Sequence, residues 1–77
     1  MFKLQCKLIP KGISPIQYIN IGEFLTIDDI NAAARGFVFG ARGGLFGIEK
    51  HETSPSYYRG YSKGMRYQSH GFQLIYN

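Results

Sequence analysis

The chain has 77 residues, a net charge of +4, six Phe and six Tyr. That size fits one domain, residues 1–77, near the lower limit for burying a self-sufficient core, so a partner or a homodimer is expected to help it. Apolar content is too high and charge too sparse for a disordered tail, and the single cysteine, Cys6, excludes an internal disulfide or a cysteine-based zinc site.

Phe2 to Ile9 alternates, with Phe2, Leu4, Cys6 and Leu8 on one face and Lys3, Gln5 and Lys7 on the other. This is the pattern of a half-buried strand, ended by the turn residues Pro10-Lys11-Gly12. Lysines interrupt the apolar residues here, so the stretch lacks signal-peptide architecture and a cytoplasmic setting is expected. No apolar segment approaches the ~20 residues that span a bilayer, so no membrane role is expected. Cys6 reads as a small core residue. Ser14-Pro15 opens a second extended segment, Ile16 to Ile21, expected to pair antiparallel with the first.

Thr26 is an N-cap candidate, with Asp28 and Asp29 in the first turn where the helix dipole favours negative charge. Ile27, Ile30, Ala34, Phe37, Val38, Ala41 and Leu45 continue at helical spacing into a tandem heptapeptide, Ala34-Arg-Gly-Phe-Val-Phe-Gly40 followed by Ala41-Arg-Gly-Gly-Leu-Phe-Gly47. On a helix this period places Arg35 and Arg42 on one face. Two readings compete. The helix runs to about Arg42 and stops at Gly43-Gly44, or it ends near Gly36 and Phe37 to Phe39 pairs with Leu45 to Ile48 as a hairpin. The unbroken 3.6-residue stripe favours the helix, against a cost of about 1 kcal/mol for each interior glycine.

Gly47 to Glu52 reads as extended or irregular. Ser54 as N-cap and Pro55 at the first helical position open a second helix, Tyr57 to Tyr67. Its Gly60 and Gly64 repeat the spacing of Gly36 and Gly40, so the two helices are expected to cross closely through their glycines. Phe72, Leu74 and Tyr76 alternate with Gln73 and Ile75 as a last strand. The expected architecture is a small α+β domain, an antiparallel sheet of three to four strands with two helices on one face.

Chemistry-bearing patterns are sparse. The glycine-rich run contains no phosphate-loop signature. His51 and His70 lack metal-ligand spacing, and Ser, His and acidic residues form no recognisable catalytic set, so neither a metal, a cofactor nor catalysis is expected. Charge carries more information. Residues 1–33 are neutral, three lysines against Glu23, Asp28 and Asp29. Residues 34–77 hold Arg35, Arg42, Lys50, Arg59, Lys63 and Arg66 against Glu49 and Glu52, which gives the whole +4. Arg35 and Arg42 on one helix, with Arg59, Lys63 and Arg66 on the other, are candidates for one basic surface. Tyr58, Tyr61 and Tyr67 would anchor a protein partner or stack on bases.

Phe2-Lys3-Leu4 leading into a strand, then Lys11-Gly12-Ile13-Ser14-Pro15, then Leu25-Thr26 opening a helix, resembles a group of short accessory proteins of lambdoid prophages. The resemblance covers about 35 residues of the N-terminal half. It implies a phage-type protein that binds host or phage machinery, and it transfers no site residues. The expectation is therefore a non-enzymatic binding protein that modulates or inhibits a host process, such as a defence or nucleic-acid-processing complex, by protein–protein docking. A basic nucleic-acid-binding module using the Arg/Tyr-rich face is the alternative.

Overall fold

The computed structural model describes residues 1–10, 12–43, 54–68 and 70–77. The first alternating stretch forms strand β1 (Phe2–Ile9), with Leu4, Cys6 and Leu8 buried. The second forms β2 (Gln17–Phe24), starting one residue later and running three further than the sequence pattern marks. Its irregular alternation has a physical cause. Leu4 faces Gly22 whereas Gln5 faces Asn20, so Ile21 is an extra residue in the ladder. Such a bulge puts two consecutive residues on one side, and Ile21 and Gly22 are both buried. The last strand, β3 (Gly71–Tyr76), pairs antiparallel with the other edge of β1, giving the order β2-β1-β3.

Helix α1 (Ile27–Ala41) begins where the capping chemistry places it: the Thr26 hydroxyl accepts from the Asp29 N–H at 3.0 Å. The helix passes through Gly36 and Gly40 and ends at the cap Arg42. Gly43 follows with φ +76°, a left-handed conformation that glycine adopts without a Cβ penalty. Phe37 to Phe39 are thus helical, and the hairpin alternative is overturned. Its second arm, Leu45 to Ile48, and the extended reading of Gly47 to Glu52 lie outside the described residues. Helix α2 (Pro55–Arg66) starts from Ser54, whose hydroxyl accepts from the Tyr57 N–H at 3.0 Å.

Both helices cover one face of the sheet. Ile30, Ala33, Ala34, Phe37 and Ala41 of α1 pack on Leu4, Cys6, Leu8, Ile21 and Phe24, and the Phe37 ring meets Phe72 edge-on at 5.3 Å. Helix α2 docks differently. Its buried residues are Tyr57, Gly60 and Gly64, so it brings one large side chain and two bare backbone surfaces to the interface. Gly36 lies against Tyr57 and Tyr61, and Gly40 against Tyr61 and Met65. In return Gly60 lies against Ala33, and Gly64 against Phe37 and Ala41. Contacts advance together along both helices, so the two run parallel. The expected glycine-to-glycine crossing is present.

Candidate functional site

The five basic candidates separate into two grooves, one on each side of the helix pair. The first lies between α2 and β2. Ile21, Pro55, Tyr58, Arg59, Ser62, Lys63 and Arg66 line an open groove of about 550 Å³. The helical period explains the grouping: positions 59, 63 and 66 recur at spacings of four and three, which stacks them on one face. Helix α2 contains no acidic residue to offset them.

Within this groove the cations are not equivalent. Arg59 is held from three directions. Its guanidinium sits 4.6 Å from the centroid of the Phe24 ring, its Nη1 donates to the Glu23 carbonyl at 3.3 Å, and its Nη2 occupies the space left by the missing side chain of Gly22. A guanidinium suits this position because it stacks on an aromatic face while its edge still donates hydrogen bonds. Arg59 therefore forms a fixed charged wall that also ties α2 to β2. Arg66 is exposed and Lys63 half-buried, both in the last turn of α2, where positive charge complements the carbonyl end of the helix.

The second groove lies between α1 and β3. Ala34, Arg35, Val38, Phe39 and Arg42 form one wall and Leu74 and Tyr76 the other, around about 410 Å³. Arg35 and Arg42 share a helix face, as the heptad spacing predicts. They do not join Arg59, Lys63 and Arg66. Among the described residues none lines both grooves, so the single basic surface expected from the sequence is two surfaces. Sequence periodicity fixes which residues share a helix face; it carries no information on whether two helices turn those faces the same way.

The tyrosines divide as well. Tyr58 is 37% exposed at the first groove and meets Tyr57 edge-on. Tyr61 is half-buried, its ring 5.9 Å from that of Phe39 and tilted 32°. Tyr67 packs against the hydrophobic core and meets the His70 ring edge-on at 6.0 Å. The sequence pattern does not distinguish these three rings. It also misses the contribution of Gly22, Phe24 and Glu23 to the first groove, for which the linear sequence carries no signal because residues 22 and 59 meet only in the folded chain.

Cys6 is fully buried in the core, and burial raises its pKa, opposed more weakly by a backbone hydrogen bond from Gln73. That is the environment of an inert thiol. Among the described residues no group of three His, Cys, Asp or Glu side chains stands where it could hold a metal ion, and no helix is long and apolar enough to cross a membrane. Neither family models, curated proteins nor solved structures give a match to this chain.

Proposed function

We propose that this is a small non-enzymatic binding protein that docks its α2–β2 groove on an acidic protein surface. The observation that carries this reading is the composition of the groove: among the described residues it has three cations, an exposed tyrosine, a hydroxyl and no carboxylate, on a helix without acidic residues. Arg and Tyr are the side chains that most often anchor protein interfaces, and a prepositioned Arg59 loses little freedom on binding. The N-terminal resemblance to prophage accessory proteins adds the setting, a phage-type factor that modulates or inhibits a host complex by occupying it.

A basic nucleic-acid-binding module is the second reading. The same cations suit phosphates, but of the three candidate tyrosines Tyr58 alone lines this groove, so it offers one ring for stacking on a base. Fluorescence anisotropy with a labelled glutamate-rich helical peptide and with labelled DNA and RNA, each across a salt series, separates the two. The peptide is expected to bind more tightly, and Lys63→Glu with Arg66→Glu to abolish its binding. Tighter nucleic-acid binding with a steep salt slope would replace the first reading by the second. Binding of neither probe at low salt overturns both.

A further inference from the structure

The geometry points to a second docking site, independent of the α2–β2 groove: the outer edge of β3, which takes an extended acidic segment of a partner protein as a fourth strand. The hydrogen-bond phase of the sheet supplies the first part of the argument. Lys3 and Asn77 exchange backbone bonds, Lys3 N to Asn77 O at 2.8 Å and Asn77 N to Lys3 O at 2.9 Å. In an antiparallel ladder, bonded pairs alternate with non-bonded ones. The register continues through Gln5–Ile75 and Lys7–Gln73, so these are bonded pairs, and Phe72, Leu74 and Tyr76 turn their N–H and C=O groups away from β1. Among the described residues no strand pairs with β3 on that far side.

The pleat supplies the second part. Phe72, Leu74 and Tyr76 lie opposite the inward residues Leu8, Cys6 and Leu4, so their side chains are on the helix-covered face. Residues of an added strand directly opposite them would point to the same face, into the groove lined by Ala34, Val38, Phe39, Leu74 and Tyr76. One set of β3 residues thus offers both the backbone edge and the side-chain groove, which is the arrangement that strand-addition sites use for affinity and for specificity.

Charge selects the occupant. Arg35 and Arg42 line this groove two turns apart on α1, about 10 Å along the helix axis, and among the described residues no acidic one lines it. An incoming strand with carboxylates at alternate inward positions meets complementary charge. A second copy of this chain does not. β3 has the sequence GFQLIY, without an acidic residue, and symmetric pairing of two β3 edges would bring the arginines of both copies to one interface. An extended acidic segment is the occupant the charges favour.

The test uses the acetylated, amidated peptide Thr-Glu-Thr-Val-Thr-Glu-Thr, whose two glutamates and valine share one face. Amide exchange is followed by heteronuclear NMR on the full chain. Added peptide is expected to slow exchange at the Phe72, Leu74 and Tyr76 amides and to leave Gln73 and Ile75, already bonded to β1, unchanged. Replacing the central valine by proline removes a required N–H and should abolish binding, as should replacing both glutamates by lysine. Arg35→Glu with Arg42→Glu should weaken binding by about tenfold or more, and the milder Arg35→Ala with Arg42→Ala should weaken it less while keeping a native-like spectrum. Lys63→Glu with Arg66→Glu should leave it intact, which separates this site from the α2–β2 groove. Unchanged exchange at the three amides at millimolar peptide overturns the proposal, as does a response confined to residues 58–66. Concentration-dependent protection of the same amides without peptide would assign the edge to a second copy and overturn it equally.

Discussion

Gly60 lies against the backbone of Ala33 so closely that a Cβ at position 60 would overlap the Ala33 carbonyl. The relation is repeated along the interface by Gly64 on Phe37, Gly36 on Tyr57 and Gly40 on Tyr61. These four helical glycines cost about 4 kcal/mol in helix propensity relative to alanine. The close approach offsets that cost through backbone dispersion contacts and through Cα–H groups directed at carbonyl oxygens.

Alanine at these positions should therefore destabilise the fold although it favours each helix. For Gly60→Ala and Gly36→Ala we expect a net loss of about 2 kcal/mol or more, because the obstruction is a backbone carbonyl that no side-chain rotation can clear. In a domain of this size that lowers the melting temperature by roughly 8–16 °C. Ser62→Ala, at an exposed position of α2, is the control and should be neutral or slightly stabilising. Calorimetry of the three variants decides it; a neutral Gly60→Ala would mean that the helices part without loss.

The glycine crossing was legible in the sequence because the same four-residue spacing occurs in both helices, and so were the caps, since Thr26 and Ser54 each precede an apolar periodic run. The bulge at Ile21 was not. It breaks the two-residue period that identifies a strand, so the alternating pattern stops short of Gly22, Glu23 and Phe24. Those three residues form the seat of Arg59, so the same break also hides what holds that arginine. The split of the basic residues was hidden for another reason. Arg35 and Arg59 are assigned to opposite sides by the way α1 and α2 lie against the sheet, a tertiary relation without a local sequence correlate.

Removing either cap should cost about 1 kcal/mol, through the loss of one bond to an otherwise unmatched helix N–H. Thr26→Ala leaves the Asp29 N–H without its acceptor and Ser54→Ala does the same to Tyr57. The two cap bonds share no donor or acceptor, so the double variant should lose about the sum of the two. Urea unfolding measures this. A loss well below the sum would show that one helix start is already frayed in the folded protein.

Alkaline pH should weaken the fold through Cys6. Desolvation raises its pKa in the folded protein, so the folded chain holds the thiol proton to higher pH than the unfolded chain does. The resulting stability is complete below the ordinary thiol value of about 8.5, and it is lost as pH rises from there through the raised folded value. The urea midpoint is expected to fall between about pH 8 and pH 9.5, short of the tyrosine range. Cys6→Ala should be less stable at neutral pH from lost packing, yet flat across that window. An identical alkaline slope in the variant would assign the effect to another group.

Arg59 and Gly22 should prove energetically coupled. Arg59→Ala removes the cation from the face of Phe24 and the bond to the Glu23 carbonyl, and should cost about 1–2 kcal/mol. Gly22→Ala puts a Cβ 2.5 Å from Arg59 Nη2 and 3.1 Å from the Phe24 ring. The guanidinium must then leave its seat, so this variant should lose much of the same stabilisation without any change at Arg59. In the Arg59→Ala background the obstruction from Nη2 is gone and the added methyl meets Phe24 alone. The double variant should therefore be more stable than the sum of the single losses implies, by about 1 kcal/mol in a double-mutant cycle. Strict additivity would mean that Arg59 does not rest on Phe24 in solution. The α2–β2 groove would then lose the fixed wall that prepositions its charge, and binding of the acidic peptide would fall to Lys63 and Arg66 alone.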